Sequence, residues 1–574
     1  MATWILGVSA LYHDSAVVLL RDGEVVAAAQ EERFSRIKHD AALPLRAAAW
    51  CMGRAGIQAG DLDHLVFYEK PLRTFERVLH NAIATFPRSW RSFPRQAHAW
   101  LGDKLWVRTT LARAFAVRPE RILFCEHHLS HAASAFYTSP HAHAAVLTVD
   151  GVGEVATTTL WRGEGTALTP LAEIRFPHSL GLFYSAMTAY LGFAVNEGEY
   201  KVMGMAAWGT PRHREALDRL LRRDPDGGFT CDLEAFCWHW HPTESFTPRL
   251  EALLGAPRVP GTPFDPDDPD GRRFADIAAS TQAVLEDALL GLARHARARV
   301  DSEALCLAGG VALNAVANAR LAREGPHAHL WIHPAAGDAG GAMGAALWAW
   351  HAVLGNPRGP ALRRVDLGRS HGRGEVHDML VDLGAKVEDL GDDALARVAE
   401  DLAAGRVVGW FDGRGEWGPR ALGHRSILAD ARGPDVAERV NARVKHREPF
   451  RPFAPAVLAE HADAWFDIPA AAAQPSRVML ATATVRPDAR AILPAVTHVD
   501  GSARVQVVDH EEHPRFATIL RHLGDATGVP VLLNTSFNLK GDPMVDTPVD
   551  AMAALHRSAL DALHIEGFRV ERPR

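Results

Sequence analysis

Cysteine is scarce in this chain and follows no pattern. Cys51, Cys125, Cys231, Cys237 and Cys306 are the five among 574 residues. They include no C-x-x-C pair and no regular spacing, which excludes a disulfide framework and reads as reduced thiols of a cytosolic enzyme. Positive charge is not in excess either. A net charge of -7 and a pI near 6.5 argue against a general nucleic-acid footprint. No uninterrupted apolar run is long enough to span a bilayer. The start, Met1-Ala2-Thr3-Trp4-Ile5-Leu6-Gly7, lacks a basic region and reaches His13-Asp14 too soon for a signal peptide. The expectation is a cytoplasmic protein with no membrane or nucleic-acid partner.

What is present is the composition of a soluble globular protein, 47% hydrophobic and 23% charged. The length exceeds one ordinary core, so two or more domains are expected. The first segment predicts strands at 4–9, 16–20 and 25–29, with Asp22-Gly23 as a hairpin signal. The pattern repeats at 145–149, 157–161 and 168–174, around Asp150-Gly151-Val152-Gly153 and Arg162-Gly163-Glu164-Gly165. Two such meanders, each followed by helical sequence, predict a duplicated α/β lobe pair of the actin-like ATPase and sugar-kinase kind, with a cleft between the lobes. A Pro-, Asp- and Gly-rich loop is expected at 256–272, and helix from 274 to 298. A second break at Leu354-Gly355-Asn356-Pro357-Arg358-Gly359-Pro360 divides the chain. The expected domains are 1–355 and a separate α/β region, 371–574.

In Glu126-His127-His128-Leu129-Ser130-His131, His127 and His131 stand one helical turn apart, so both imidazoles reach one point. Asp150 at a strand end and Asp338 in Gly337-Asp338-Ala339-Gly340-Gly341 supply carboxylates from other loops. Mixed imidazole and carboxylate ligands suit a divalent metal. His128 is turned about 100° away and is left out. Gly309-Gly310 and Gly337 to Gly341 are read as turns ahead of helices, where backbone amides suit phosphate or ribose oxygens. Lys201, near a small-residue turn, is a further candidate cation. His13 lies in a strand-to-strand turn facing the cleft, where an imidazole can take a proton from a hydroxyl. Beyond the break, Arg414, Arg420 and Arg425 stand among glycines, and Lys445, Arg447 and Arg451 follow on a proline-constrained loop. With Trp417, Phe450 and Phe453 interleaved, these cations read as a compact phosphate pocket. Asn534 to Asn538 follows an apolar strand and could hold a triphosphate or a planar acyl group.

On these residues the chain resembles the O-carbamoyltransferases of natural-product and Nod-factor biosynthesis. The matching segments are Tyr12 to Ala16, Glu31 to Arg36, His127 to His131, Asp150 to Glu154, Gly309 to Asn314, Gly337 to Gly340, Gly415 to Arg425, Lys445 to Phe453 and Asn534 to Asn538. The resemblance implies two coupled sites. A YrdC-like second domain would form carbamoyladenylate from carbamoyl phosphate and ATP with Mg²⁺. The actin-like first domain would pass the carbamoyl group to a hydroxyl of a small natural-product or sugar acceptor. It further implies His127, His131, Asp150 and Asp338 as ligands of Fe(II) or a similar metal, although Zn or Mn would suit them too. By the same resemblance His13 is the base, and Arg420 and Lys445 are catalytic. Lys201, Gly309, Gly310, Asn314, Arg425, Arg451, Arg504, Ser536 and Asn538 would line the substrate sites. A homodimer is left open. The rivals are a protein of tRNA threonylcarbamoyl modification and a non-catalytic actin-like nucleotide-binding protein. The acceptor is unreadable, although Trp90, Trp100, Trp106, Trp238 and Trp240 are candidates to shape its pocket.

Overall fold

In the computed structural model, residues 2–94, 104–445 and 447–572 are described. Trp100 and His446 lie outside them. The first lobe is a five-stranded sheet in the order Glu24–Gln30, Ala16–Arg21, Trp4–Ser9, His64–Phe67, Ile122–Phe124. Its first three strands form an antiparallel meander and the last two join in parallel. The second lobe repeats that order and sense with Ala167–Arg175, Ala156–Glu164, His143–Gly153, Ala304–Ala308 and His329–Ile332. Two sheets with one topology are the duplicated actin-like architecture that the paired meanders predict. Ala16 to Leu20 are buried without alternation, as strands covered on both faces are. Asp22 and Gly23 both hold positive φ, 51° and 85°, the turn an Asp-Gly hairpin adopts.

Two helices lie between the sheets. His127–Thr138 packs against Asp338–Trp348, and the second also rests on the strand Trp4–Ser9. The approach is closer than a side chain permits, since a Cβ on Gly344 would stand 1.7 Å from the Ser130 carbonyl oxygen. The expected glycine turn at Gly337 to Gly341 is corrected here. The helix begins at Asp338, so Gly340, Gly341 and Gly344 lie inside it and serve packing rather than a phosphate cradle.

The second α/β region is an eight-stranded mixed sheet with Val387–Asp389 at one edge and Gln506–Val508 at the other, and Val408–Phe411, Arg425–Asp430 and Val531–Ser536 near its centre. Period-two alternation sends Leu428 to one face and Ile427 and Ala429 to the other. The helices Ala394–Ala403 and Pro514–Thr527 cover the first face. Arg373–Asp382 and Pro548–Arg557 cover the second.

This region is less separate than its composition suggests. Trp417 is buried in the core of the first lobe and Phe450 in that of the second. Arg414 donates to the carbonyls of Leu367 (2.6 Å), Gly368 (3.2 Å) and, in the first lobe, Val26 (3.1 Å). Trp417, Phe450 and Arg414 therefore anchor one region on the other rather than line a phosphate pocket. Among the described residues, no helix is long and apolar enough to cross a membrane.

Candidate metal centre and buried cation cluster

The helix His127–Thr138 presents both imidazoles to the bulged end of the strand His143–Gly153. Its first turn is held by Glu154, whose Oε1 accepts from the His127 amide (3.1 Å) and the Lys70 amide (2.7 Å). Gly153 leaves room for the His127 ring, which a Cβ there would approach to 2.1 Å. Asp150 Oδ2 lies 3.0 Å from His127 Nε2 and 3.1 Å from His131 Nε2, and the two Nε2 atoms are 3.1 Å apart. Asp338 Oδ1 stands 3.8 and 3.6 Å from the same nitrogens. All four donor atoms fall within 4.8 Å of one another.

Ligands about 2.0–2.2 Å from one ion sit about 3.0–3.5 Å apart, so this quartet could hold a divalent metal. The far oxygen of Asp150 is fixed by the Gly151 (2.8 Å) and Gly310 (3.1 Å) amides, which leaves Oδ2 aimed at the imidazoles. Buried Asp338 Oδ2 has no hydrogen-bond partner among the described residues. Burial alone would lower the His131 pKa, but the Asp150 and Asp338 carboxylates raise it to about 9. The two imidazoles hold Asp150 well below the usual carboxylate range against the pull of burial. A quartet this polarised is suited to a cation. His128 is excluded as expected, since its ring nitrogens meet Thr148 Oγ1 (2.6 Å) and the Ala156 carbonyl (2.9 Å).

His13 stands beside the quartet, with Nε2 3.8 Å from Asp338 Oδ2 and Nδ1 3.0 Å from Asp14 Oδ2. Three substrate-site expectations change here. The Gly309 amide is given to the Ala336 carbonyl (2.8 Å) and that of Gly310 to Asp150, so neither is free for a phosphate. Asn314 exchanges amide hydrogen bonds of 3.0 Å with Gln282 and caps the helix Ala315–Glu324. It is a structural residue.

The second cluster lies where the two regions meet. Lys445 Nζ donates to the Ser536 carbonyl (2.5 Å), the Asn538 carbonyl (3.0 Å) and Asn538 Oδ1 (2.9 Å), and Ser536 Oγ bonds Asn538 Oδ1 (2.6 Å). These three predicted residues are thus one unit. Burial, with Arg447 and Arg451 nearby, holds the Lys445 ammonium well below its usual range. Burial and Arg451 bring Arg420 down to about 10, and burial and Arg451 bring Arg447 to about 9. Arg504 is lowered further by burial and by Arg420, Arg447 and Arg451.

The Nε groups of Arg420, Arg447 and Arg504 are buried and unpartnered among the described residues. Glu448 is shared between Lys201 (2.7 Å) and Arg451 (3.5 Å). Five cations with so little counter-charge, three of them with an orphaned Nε, could hold a multiply charged anion.

Two predicted cations do not join it freely. Arg425 is buried and spends its guanidinium on the carbonyls of Asp412, His424, Arg369 and Gly413 while stacking on Phe411, so it is a structural anchor rather than a substrate ligand. Lys201 reaches the cluster through Glu448 and borders it. Arg447 is not among the residues assigned to a substrate site from the sequence, although it sits in the same charged proline loop. Asp14 is also passed over there, despite its place beside His13. Trp90 and Trp106 are largely exposed, and Trp238 stacks on Phe236 while donating to the Pro177 carbonyl.

Comparison with known proteins identifies the family. Residues 4–347 match the family model described as "Carbamoyltransferase N-terminus", and 399–572 match "Carbamoyltransferase C-terminus". The chain belongs to the carbamoyltransferase family. Nodulation protein NolNO of Sinorhizobium fredii is 38% identical over 98% of this chain and 79% of its own length. Nodulation protein NolO of Bradyrhizobium diazoefficiens is 36% identical over 78% of each. An uncharacterised protein of Synechocystis sp. is 47% identical over 99% of this chain and 96% of its own. Among solved structures, (R)-2-hydroxyglutaryl-CoA dehydratase component A of Acidaminococcus fermentans aligns with 61% of this chain and 99% of its own at 16% identity, TM-score 0.35. That likeness carries no argument. The general chemistry of the chain is carbamoyl transfer by a transferase enzyme.

Proposed function

We propose that the protein makes carbamoyladenylate from carbamoyl phosphate and ATP at the cation cluster, then transfers the carbamoyl group to a hydroxyl of a small metabolite at the quartet. The observation that carries this reading is the pair of sites in one chain, an anion site with orphaned arginine donors and a buried four-ligand cluster with an imidazole beside it. Water would cleave carbamoyl phosphate to carbamate and inorganic phosphate. A carbamate oxygen then attacks the α-phosphorus of ATP and pyrophosphate leaves. Arg420, Arg447, Arg451 and Arg504 offset the charge gathered on these phosphates, and Lys445, tethered by Ser536 and Asn538, holds its ammonium toward the carbamoyl oxygens. Mg²⁺ accompanies ATP as its counter-ion.

In the second step the acceptor oxygen bonds to the carbamoyl carbon, its proton moves to His13 Nε2, and the bond to the adenylate oxygen breaks to release AMP. His127, His131, Asp150 and Asp338 would hold the metal, Fe(II) or a similar divalent ion. When bound, it supplies Lewis-acid polarisation of the carbamoyl or phosphate oxygen. The acceptor is proposed as a sugar or natural-product hydroxyl. The net charge of -7 gives a tRNA acceptor no support.

Half-reactions separate the two sites. Lys445→Met should abolish pyrophosphate release from ATP and carbamoyl phosphate. His131→Ala should keep that release while losing carbamoylated product in a screen of hydroxylated metabolites. Unchanged adenylation in Lys445→Met, or unchanged transfer in His131→Ala, would overturn the assignment of that site.

A further inference from the structure

Two loops of the first lobe, residues 10–15 and 36–42, are tied together beside the quartet. The Leu11 amide donates to the Ala41 carbonyl and the Ser15 amide to the Asp40 carbonyl, both at 2.9 Å. Leu11, Asp14, Arg36 and His39 hold φ at 75°, 51°, 61° and 56°, a backbone that L side chains rarely adopt. Left-handed residues gathered in this way mark functional loops. Here they bring Asp14 between two imidazoles. Its Oδ2 is 3.0 Å from His13 Nδ1 and its Oδ1 is 2.8 Å from His39 Nδ1.

An ionised carboxylate only accepts, so both Nδ1 atoms donate to it. The arrangement therefore places the proton of a neutral His13 on Nδ1. In that neutral form Nε2 carries the lone pair and faces Asp338 Oδ2 at 3.8 Å, and the carboxylates of Asp338, Asp14 and Asp150 raise the proton affinity of the ring against the pull of burial. Both imidazoles hold the Asp14 carboxyl below the usual range, against the pull of burial.

His39 is itself restrained. Its backbone amide donates to Glu32 Oε2 (3.0 Å), and the neighbouring Lys38 pairs with Glu197 (2.7 Å). Three residues earlier, Arg36 donates to the carbonyls of Pro543 (3.0 Å) and Met544 (2.6 Å) and pairs with Asp550 (3.3 Å) in the second region. The loop that presents His39 is thus fastened at both ends.

We propose that His39 is a positioning residue. By holding Oδ1 of Asp14 it turns Oδ2 toward His13 and keeps His13 in the Nδ1–H tautomer, with Nε2 free to take the acceptor's proton. The inference rests on the reading of His13 as the base. Without His39, Oδ1 has no imidazole donor, the carboxylate can rotate, and the His13 ring can exchange tautomers.

The test is the ring-nitrogen spectrum of ¹⁵N-histidine-labelled, zinc-loaded protein, in which His13 is identified by the signals lost in His13→Gln. Among the neutral forms of His13, the Nδ1–H tautomer should dominate in the unaltered protein and its share should fall at least threefold in His39→Leu. It should return in His39→Asn, whose amide N–H can stand where Nδ1–H stood. Zinc content and thermal midpoint should be unchanged in His39→Asn. If the leucine variant does not fold, His39→Gln, whose amide matches Nε2 rather than Nδ1, carries the same expectation. A His13 tautomer indifferent to His39→Leu or His39→Gln overturns the inference, as does failure of His39→Asn to restore it. Separately, preformed carbamoyladenylate is supplied with water as acceptor. If His13→Gln then releases AMP at the unaltered rate, the base reading falls and the role of His39 falls with it, whatever the spectrum shows.

Discussion

Arg420→Met should make the empty protein more stable while weakening its grip on anions. Burial first, then Arg451, moves the Arg420 guanidinium from 12.5 to about 10. That displacement corresponds to about 3 kcal/mol against the charged state. Relaxation around a partly exposed group offsets part of it. The substitution removes a 3.5 Å approach of Nη2 to the Leu313 carbonyl, at the outer edge of hydrogen bonding and worth about 0.5–1 kcal/mol. Methionine fills much of the same volume. The expected net gain is therefore about 1–2 kcal/mol without ligand. Thermal or urea unfolding, compared as a shift in midpoint, reads the sign directly.

Pyrophosphate should close most of this gap. A ligand at one hundred times its Kd stabilises by about 2.7 kcal/mol, and a tenfold loss of affinity reduces this to about 1.4 kcal/mol at the same concentration. The original protein should thus gain more from pyrophosphate than the variant does. A variant less stable when empty, or one that keeps the full pyrophosphate shift, would refute the reasoning.

Asp150→Asn keeps the shape but halves the carboxylate character of the quartet, and bound metal per chain, read by emission spectroscopy, should fall at least tenfold. Gly344→Ala drives a Cβ to 1.7 Å from the Ser130 carbonyl and should destabilise by about 3 kcal/mol or prevent folding. Gly374→Ala, with nothing within 4 Å at an exposed position of the helix Arg373–Asp382, should stabilise by roughly 0.5–1 kcal/mol, so denaturant midpoints of the pair should move in opposite directions. Burial and Asp412 raise the Glu566 carboxyl from 4.5 to about 7. The folded chain then binds a proton the unfolded chain has lost, so this stabilising contribution is complete below pH 4.5 and disappears as pH rises to 7. Glu566→Gln should accordingly gain on the original protein by about 2.5 kcal/mol between pH 5 and pH 8 in unfolding experiments at each pH.

Much of this architecture was legible because it rests on local patterns. The paired meanders and the Asp22-Gly23 hairpin follow from residue alternation and turn chemistry. His127 and His131 needed only helical spacing to meet. The misreadings share one cause, which is that a residue type carries no record of how close its neighbours come. A glycine that lets Asp338–Trp348 press on Ser130 looks the same in a string of letters as one that cradles phosphate. Arg425 and Arg420 stand five positions apart in one motif, yet four carbonyls consume the first and leave the second facing other cations. Asn314 reads as a ligand until Gln282, 32 residues away, takes up its amide. Arg447 reads as one more cation of its loop, and nothing in the letters singles it out as a substrate ligand.

The most direct test of the account supplies the protein with ATP, Mg²⁺ and ¹³C-carbamoyl phosphate and no acceptor. ³¹P and ¹³C spectra of the quenched mixture follow both products. Two coupled sites predict pyrophosphate that forms only when both substrates are present, together with ¹³C attached to the 5′-phosphate of AMP. ADP as the nucleotide product, or pyrophosphate formed without carbamoyl phosphate, would contradict it.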